Sequence, residues 1–348
     1  MRISVLDAGS NTVRLAVCDV GDGVPLPVHT AKWKLRLSEH VGSDGCLGEP
    51  ATERLVKALN EATAMAGQWA APEPLAFATA VVRDAPDRVD VLRAVHRRTG
   101  LRLRVLPGEA EARLTFLGAR RWMGWRSGPL ALFDIGGGSL EVAFGRGRTP
   151  EFAASLPLGA NRLTNEFFAT ADPPTPADVS ALRRNVRHQL RDVSARIRWE
   201  HPNTAVATSR TFQQLARLCG AAPGRHGPFI DRVLRRRDLR RAIDRLASLP
   251  ADERAELPGI SGPRARQSLA GAIVGHTAMK LSGAKTLVIC PWALREGILL
   301  RYLEDGADWW ADLEQHDDAK RVGLDGVPRE PRLPETRPLR VTAQPSPS

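Results

Sequence analysis

Two short segments carry acids, glycines and hydroxyls at spacings that suit phosphate chemistry. In Asp134-Ile135-Gly136-Gly137-Gly138-Ser139-Leu140-Glu141, three glycines lie between two carboxylates inside an otherwise apolar stretch. Three glycines weaken a strand, and a purely structural turn needs only one or two. The spacing therefore points to a backbone that approaches an anion closely, with the N–H groups of Gly137, Gly138 and Ser139 aimed at phosphate oxygens. The second segment, Asp7-Ala8-Gly9-Ser10-Asn11, ends a strand on a carboxylate and turns through small residues, which suits a metal-bound phosphate. Taken alone it is also an ordinary hairpin turn. A dinucleotide-binding reading fails, because the glycines do not follow Gly-x-Gly-x-x-Gly and a strand pattern follows them. A Walker-type loop is excluded by the absence of Gly-Lys-Ser or Gly-Lys-Thr.

The elements that must hold these turns read as one plan used twice. Ile3 to Asp7 and Val13 to Val20 are strands around the first turn, with a third strand near Val28 to Leu37. Helical composition over 51–70, a strand from Leu75 to Val82, a helix over 87–99, a strand from Leu101 to Leu106 and a helix from about Glu109 to Trp122 complete the unit. The second unit opens with strands Leu130 to Asp134 and Leu140 to Phe144 around the triple-glycine turn. Thr175-Pro176-Ala177-Asp178 is a helix start, with an N-cap, a proline in the first turn and an acid three residues on. Val179, Leu182, Val186, Leu190, Val193 and Ile197 then recur at helical spacing while Arg183, Arg184, Arg187 and Arg191 take other faces. Asn203 to Thr208 reads as a strand and Thr211 to Leu218, Asp238 to Leu246 and Arg264 to Leu281 as helices. Lys285 to Cys290 reads as a last strand and Ala293 to Leu303 as a last helix. Beyond Lys320 the prolines defeat helix and sheet, so a disordered tail is expected over 320–348.

With 348 residues the chain exceeds what one core usually organises, so two domains with a cleft between them are expected. The acid at Asp7 comes too early for a signal peptide, and no uncharged apolar run approaches the length of a spanning helix. A cytoplasmic location without membrane contact is the resulting expectation. Cys18, Cys46, Cys219 and Cys290 are scattered and read as buried small hydrophobes, which supports neither a zinc motif nor a disulfide framework. The net charge of +11 is almost all arginine, with only Lys32, Lys34, Lys57, Lys280, Lys285 and Lys320 as lysines. Clustered arginine attracts phosphate-rich partners; a GC-rich coding sequence would produce the same bias.

Beyond these turns, the chain resembles the Ppx/GppA family of exopolyphosphatases and guanosine pentaphosphate phosphohydrolases, in its shorter two-domain form, over about residues 1 to 305. The likeness is carried by Val5-Leu6-Asp7-Ala8-Gly9-Ser10-Asn11-Thr12, Ala78-Thr79-Ala80-Val81-Val82-Arg83-Asp84-Ala85 and Gly108-Glu109-Ala110-Glu111-Ala112-Arg113-Leu114. It continues through Asp134 to Glu141, Ser155 to Thr164 and Leu294-Arg295-Glu296-Gly297-Ile298-Leu299. The resemblance implies an α/β fold of the actin-like ATPase (ribonuclease H-like) superfamily, with two duplicated domains and a central cleft. Its first domain would span 1–126, completed by a helix over about 294–312, and its second 127–293. It further implies Mg²⁺- or Mn²⁺-dependent attack of water on a terminal phosphoryl group, with Glu111 as general base. Asp134 and Glu141, with Asp7, would hold or position the metal. Gly9, Ser10, Asn11, Gly136, Gly137, Gly138 and Ser139 would cradle phosphate, and Arg83 would offer it a planar fork. Without the resemblance Arg83 reads as an ion pair with Asp84 or Asp87, and Glu111 as a solvated helical glutamate. Glu109 reads as a charge favoured by the helix dipole, and Arg295 and Glu296 as structural residues. Arg162 is open between bridging elements and touching substrate.

Two departures bear on the substrate. Where many relatives carry a Gly-x-Ser-Gly-Thr turn, this chain has Ala207-Thr208-Ser209-Arg210-Thr211, so Arg210 replaces a close backbone approach with a side chain that could reach phosphate. A helical extension like that of the longer relatives is not expected, which favours short polyphosphate. Exopolyphosphatase action on chain ends is the leading expectation. Removal of the 5′ phosphate of guanosine pentaphosphate (pppGpp) is the alternative within the same chemistry, and a noncatalytic polyphosphate or alarmone sensor the alternative from another class. A nucleic-acid binder using Arg232, Arg235, Arg236, Arg237, Arg240 and Arg241 lacks any accompanying motif. A homodimer is expected only from the frequency of two-fold assemblies and the family.

Overall fold

Apolar strands with small, hydroxyl-rich turns fold into two sheets in the computed structural model, which describes residues 2–20, 26–42, 44–71 and 73–310. The first sheet holds β1 (Arg2–Ala8), β2 (Thr12–Asp19), β3 (Leu26–Lys34), β4 (Leu75–Ala78) and β5 (Arg104–Val105), in the order β3-β2-β1-β4-β5. The second holds β6 (Leu130–Ile135), β7 (Leu140–Gly145), β8 (Phe152–Leu156), β9 (Thr204–Ala207), β10 (Val233–Arg235) and β11 (Thr286–Ile289), in the order β10-β11-β9-β6-β7-β8. Each sheet is built on an antiparallel hairpin, β1–β2 or β6–β7, closed by the same turn. Gly9 N–H donates to Thr12 O at 3.0 Å, and Gly136 N–H to Ser139 O at 2.9 Å. A parallel strand then joins the first strand of each hairpin, with Ala8 opposite Ala78 and Phe133 opposite Ala207. The duplicated, actin-like plan read from the sequence is thus present in the hydrogen bonding.

Helices α1 (Gly48–Gln68), α2 (Ala80–Arg83), α3 (Arg88–Thr99) and α4 (Gly108–Met123) belong to the first half. Those of the second half are α5 (Ala160–Phe167), α6 (Pro176–Trp199), α7 (Ser209–Leu218), α8 (Arg236–Ala247), α9 (Ala251–Ala255), α10 (Gly262–Ala265) and α11 (Ser268–Ser282). α12 (Leu294–Asp305) comes last. α6 starts where its cap signals place it, with a reciprocal capping box between Thr175 and Asp178. Its apolar positions Val179, Leu182, Val186, Leu190 and Ile197 are buried, while Val193 is half-buried.

α4 joins the two halves. Its Leu114 packs with Ile3, Val5 and Phe77 of the first sheet, and its Phe116 and Ala119 pack with Leu130, Leu132 and Val206 of the second. α12 returns to the first sheet, placing Leu294, Ile298 and Leu299 in the same cluster as Ile3, Val5, Phe77 and the pair Trp309 and Trp310. α4 and α12 cross so closely that a Cβ on Gly297 would overlap the Leu114 carbonyl.

Several elements differ from their sequence reading. The strand expected to reach Val82 stops at Ala78, because β1 ends opposite it and Thr79 N–H bonds Ala8 O; the chain then coils into α2. Of the strand expected over Leu101 to Leu106, Arg104 and Val105 pair in register with Phe77 and Ala78, and Leu106 N–H donates to Ala78 O at 3.0 Å as the chain leaves the sheet. The helix expected from Arg264 to Leu281 is two, α10 and α11. β8, β10 and α5 have no counterpart in the sequence reading. Cys18 and Cys290 are buried, but Cys46 and Cys219 are only partly so, and all four are free thiols. The expected tail over 320–348 lies outside the described residues.

Candidate active site

The two turns face each other. A Cβ on Gly137 would come within 2.8 Å of Ser10, one on Gly138 within 2.8 Å of Ala80, and one on Gly159 would overlap the Gly138 backbone. The run of glycines is thus required first by the packing of one turn against the other half of the molecule. The turn's carbonyls point away from that contact: Gly136 O accepts from Ala160 N–H and Gly137 O from Asn161 and Arg162 N–H, each at 3.0 Å, at the start of α5. The N–H groups of Ser10, Asn11, Gly137 and Gly138 donate to no backbone carbonyl among the described residues. All four residues line one cavity of about 160 Å³, together with Gly9, Gly136 and Ser139. Paired turns with free N–H groups form an anion-binding concavity.

Three of the expected carboxylates open onto that cavity: Asp7 from β1, Asp134 from β6 and Glu111 from the first turn of α4. Burial raises all three. Asp7 is raised by burial against the opposing pull of Arg295 and Arg14. Asp134 is pushed up to about 6 by burial and by Asp7, although the Thr208 hydroxyl donates to it. Glu111 is pushed up to about 7, chiefly by burial and further by Asp134 and Asp7, against the pull of Arg83. Arg83 Nη1 donates to Glu111 Oε2 at 2.8 Å and to Leu106 O at 3.0 Å, fixing the carboxylate at the cavity wall. Glu109 points elsewhere and pairs with Arg113 one turn on.

Two expected site residues are placed behind the wall. Glu141 is 2 % exposed, accepts from Ser155 Oγ at 2.9 Å and does not line the cavity. Burial, with Glu111 and Asp134 nearby, raises it well above the usual carboxylate range. Arg83 likewise stands behind Glu111. Its second acidic partner is Asp84, at 3.3 Å, whereas Asp87 accepts the N–H groups of Leu47 and Gly48. Asp84 also takes Arg162 of α5 at 2.6 Å, so Arg162 bridges the two halves of the chain.

Four guanidinium groups complete the lining: Arg14, Arg210, Arg264 and Arg295. Arg295 was expected to be structural, and only its neighbour Glu296 is, capping α12 by accepting Ala293 N–H at 2.8 Å. Arg14 is depressed by burial and by Arg295, and Arg264 is pushed down to about 10 by burial, Arg14 and Arg210. Buried cations that repel one another make a site that gains when an anion enters. Arg14 was legible: it is the cross-strand partner of Asp7 and so shares its face of the sheet. Arg264 follows an unremarkable Ser-Gly-Pro and gives no such signal.

The comparisons with known proteins agree with this geometry. The model of the Ppx/GppA phosphatase family matches residues 16–305. Exopolyphosphatase 1 of Mycobacterium tuberculosis is 44% identical over 93% of this chain and 95% of its own. An uncharacterized Streptomyces coelicolor protein is 67% identical over 91% of this chain and 95% of its own. The solved structure of an Aquifex aeolicus Ppx/GppA enzyme superimposes with a TM-score of 0.72 at 28% identity, over 86% of this chain and 99% of that one. An exopolyphosphatase structure from Cytophaga hutchinsonii shares the fold, with a TM-score of 0.79 at 22% identity over 87% and 98%. With its paired glycine turns, its cleft carboxylates and a family match over most of its length, the chain belongs to the Ppx/GppA phosphatase family of hydrolases.

Proposed function

We propose that the protein is an exopolyphosphatase that removes the terminal phosphate of inorganic polyphosphate by attack of a water activated by Glu111. The observation that carries this reading is the convergence of one carboxylate, held by Arg83, with free turn N–H groups and four arginines on a single small cavity. A carboxyl poised near neutral pH is suited to accept a proton from water and return it. The turn N–H groups and arginines would hold the terminal phosphoryl group and spread the charge that develops on it.

The donor set fits Mg²⁺ or Mn²⁺. Among the described residues no three His, Cys, Asp or Glu side chains group as a metal site by themselves. Mg²⁺ is commonly held by one or two carboxylates, with phosphate oxygens and water completing the shell. Asp7 and Asp134 are the two turn carboxylates on the cavity and would hold the ion; Glu141 would act behind them. The ion would supply charge neutralisation at the phosphoryl oxygens.

Polyphosphate is favoured over the guanosine alarmone because the cavity lining holds no aromatic side chain on which a base could stack. The relatives named exopolyphosphatase at 44% identity support the same choice. Phosphate release with Mg²⁺ from short polyphosphate, long polyphosphate, pppGpp and ATP, beside Glu111→Ala, tests the reading. Release from polyphosphate that vanishes in the variant is expected. Faster release from pppGpp would move the assignment to the alarmone, and binding without release from any substrate would make the protein a sensor.

A further inference from the structure

The arginine cluster at the start of α8 was not used by the site described above. It lines a second cavity, of about 520 Å³, with Arg235, Arg236, Arg237, Arg240 and Lys285 on its walls and no carboxylate among the lining residues. Arg237 and Arg240 have loose acidic neighbours outside it, Asp238 at 3.4 Å and Asp244 at 3.6 Å. No ion pair involves Arg235 or Lys285 among the described residues. His276 of α11 forms part of the wall, and it is pushed down to about 4 by burial and by Arg240, Arg236, Lys280 and Arg183. The cavity is therefore a place where positive potential accumulates faster than the protein's own acids cancel it.

Its position excludes it from the catalytic cavity. β11 runs parallel to β9 and β6, whose far ends carry Ser209, Arg210 and the glycine turn. Lys285 and Thr286 stand at the other end of β11, and Arg235 is paired with Thr286. At roughly 3.3 Å per residue the two sites are on the order of 20 Å apart. A single triphosphate cannot touch both; a long linear polyanion can. Alongside α11 a further groove is lined by Arg184, Arg187, Arg191 and Arg198, again without a carboxylate. Neither lining contains Phe, Trp or Tyr, whereas single-stranded nucleic acid is gripped by stacking bases on aromatic rings.

Resting on the exopolyphosphatase reading, we infer that the basic cavity between α8 and β11 is a second binding site for the polyphosphate chain, remote from the cleft, which anchors long substrates while their ends are hydrolysed. Guanidinium groups bind phosphate oxygens through paired N–H donors, and a chain with one charge per phosphate matches a wall of fixed cations. The site selects for chain length, since only a chain that spans both sites gains from it.

The test is the triple variant Arg235→Gln/Arg240→Gln/Lys285→Gln, at three exposed positions, compared with the wild-type full chain. Steady-state hydrolysis of tripolyphosphate and of polyphosphate several hundred residues long is measured at several salt concentrations, with direct binding of the long chain in parallel. The expected result is a KM for the long chain raised about tenfold, with kcat and the tripolyphosphate KM unchanged. The slope of log KM against log salt should fall by about 2 for three lost phosphate contacts. An unchanged KM and unchanged binding for the long chain overturn the inference, as does an equal rise for both substrates, which would report a disturbed fold. If the wild type hydrolyses neither substrate, the exopolyphosphatase reading fails, and direct binding alone then decides the site. Wild-type binding of random RNA tighter than of polyphosphate at 0.15 M salt, lost in the variant, would make the face a nucleic-acid surface and refute the assignment.

Discussion

Replacing Glu111 by glutamine should cost the enzyme its activity and raise its stability, with a pH dependence fixed by the site. Glutamine keeps the shape of the side chain and mimics the protonated acid. In the folded protein Glu111 is raised from 4.5 to about 7, so the folded state holds its proton more tightly than the unfolded chain does. Stability from this group is therefore fully present below about 4.5 and is lost as pH rises toward 7. At about 1.4 kcal/mol per pH unit, 2.5 units correspond to about 3 kcal/mol above neutral pH. That figure already includes the attraction of Arg83, which opposes the shift. Urea unfolding of wild type and Glu111→Gln in EDTA, from pH 4.5 to 8.5, should show equal stability at the acid end and a variant more stable by up to about 3 kcal/mol at the alkaline end. Phosphate release by the variant should fall by about 10²- to 10⁴-fold, the range for loss of a general base. A stability difference that does not change with pH, or a wild type more stable at pH 8, would refute the account of Glu111 as a carboxyl that burial raises to near neutral pH.

Three other perturbations separate the parts of the site. EDTA should abolish phosphate release and Mg²⁺ or Mn²⁺ restore it, and Asp134→Asn should raise the Mg²⁺ concentration for half-maximal activity at least about tenfold, the scale of one lost liganding group; a titration of activity against free Mg²⁺ checks both. Arg264→Ala should raise KM for tripolyphosphate while leaving Tm unchanged or higher, because it relieves repulsion from Arg14 and Arg210; a lower Tm would show that Arg264 holds the fold. Gly138→Ala places a methyl within 2.8 Å of Ala80 and should destabilise the protein by about 1–3 kcal/mol, the usual cost of overpacking, read by urea unfolding.

The fold was legible where local signals agree with tertiary demand. The capping box at Thr175 and the 3.6-residue spacing of Val179 to Ile197 specify α6, and the repeated Asp-x-Gly turn specifies two hairpins. Misreadings fall where a partner's length decides the outcome. Nothing in Leu75 to Val82 says that β1 ends at Ala8, yet that is what stops β4 at Ala78. β5 shrinks to two residues for the same reason. β8 and β10 are edge strands, and edge positions impose little pattern on a sequence. At the site, the turns were read from their residue types, whereas Glu111 was expected only from the family resemblance, because an acid in the first turn of a helix is ordinary. The walls behind and around them were not read in this way. Whether Arg83 meets phosphate or Glu111, and whether Glu141 opens onto the cavity, depends on side-chain directions that no spacing encodes.

The same duplication explains how one plan yields two unlike half-sites. Seven residues after the first turn's aspartate stands Arg14, opposite Asp7 in the antiparallel register; seven after the second's stands Glu141, opposite Asp134. In the first half that position delivers a cation to the cavity beside an acid, and Arg14, with Arg295, opposes the burial that raises Asp7. In the second half it places a second acid behind Asp134; burial raises both, and Glu111 and Asp134 raise Glu141 further. Divergence at this one paired position therefore makes the half-sites unlike: Arg14 adds a cation to the cavity lining, whereas Glu141 stays behind the wall against the Ser155 hydroxyl.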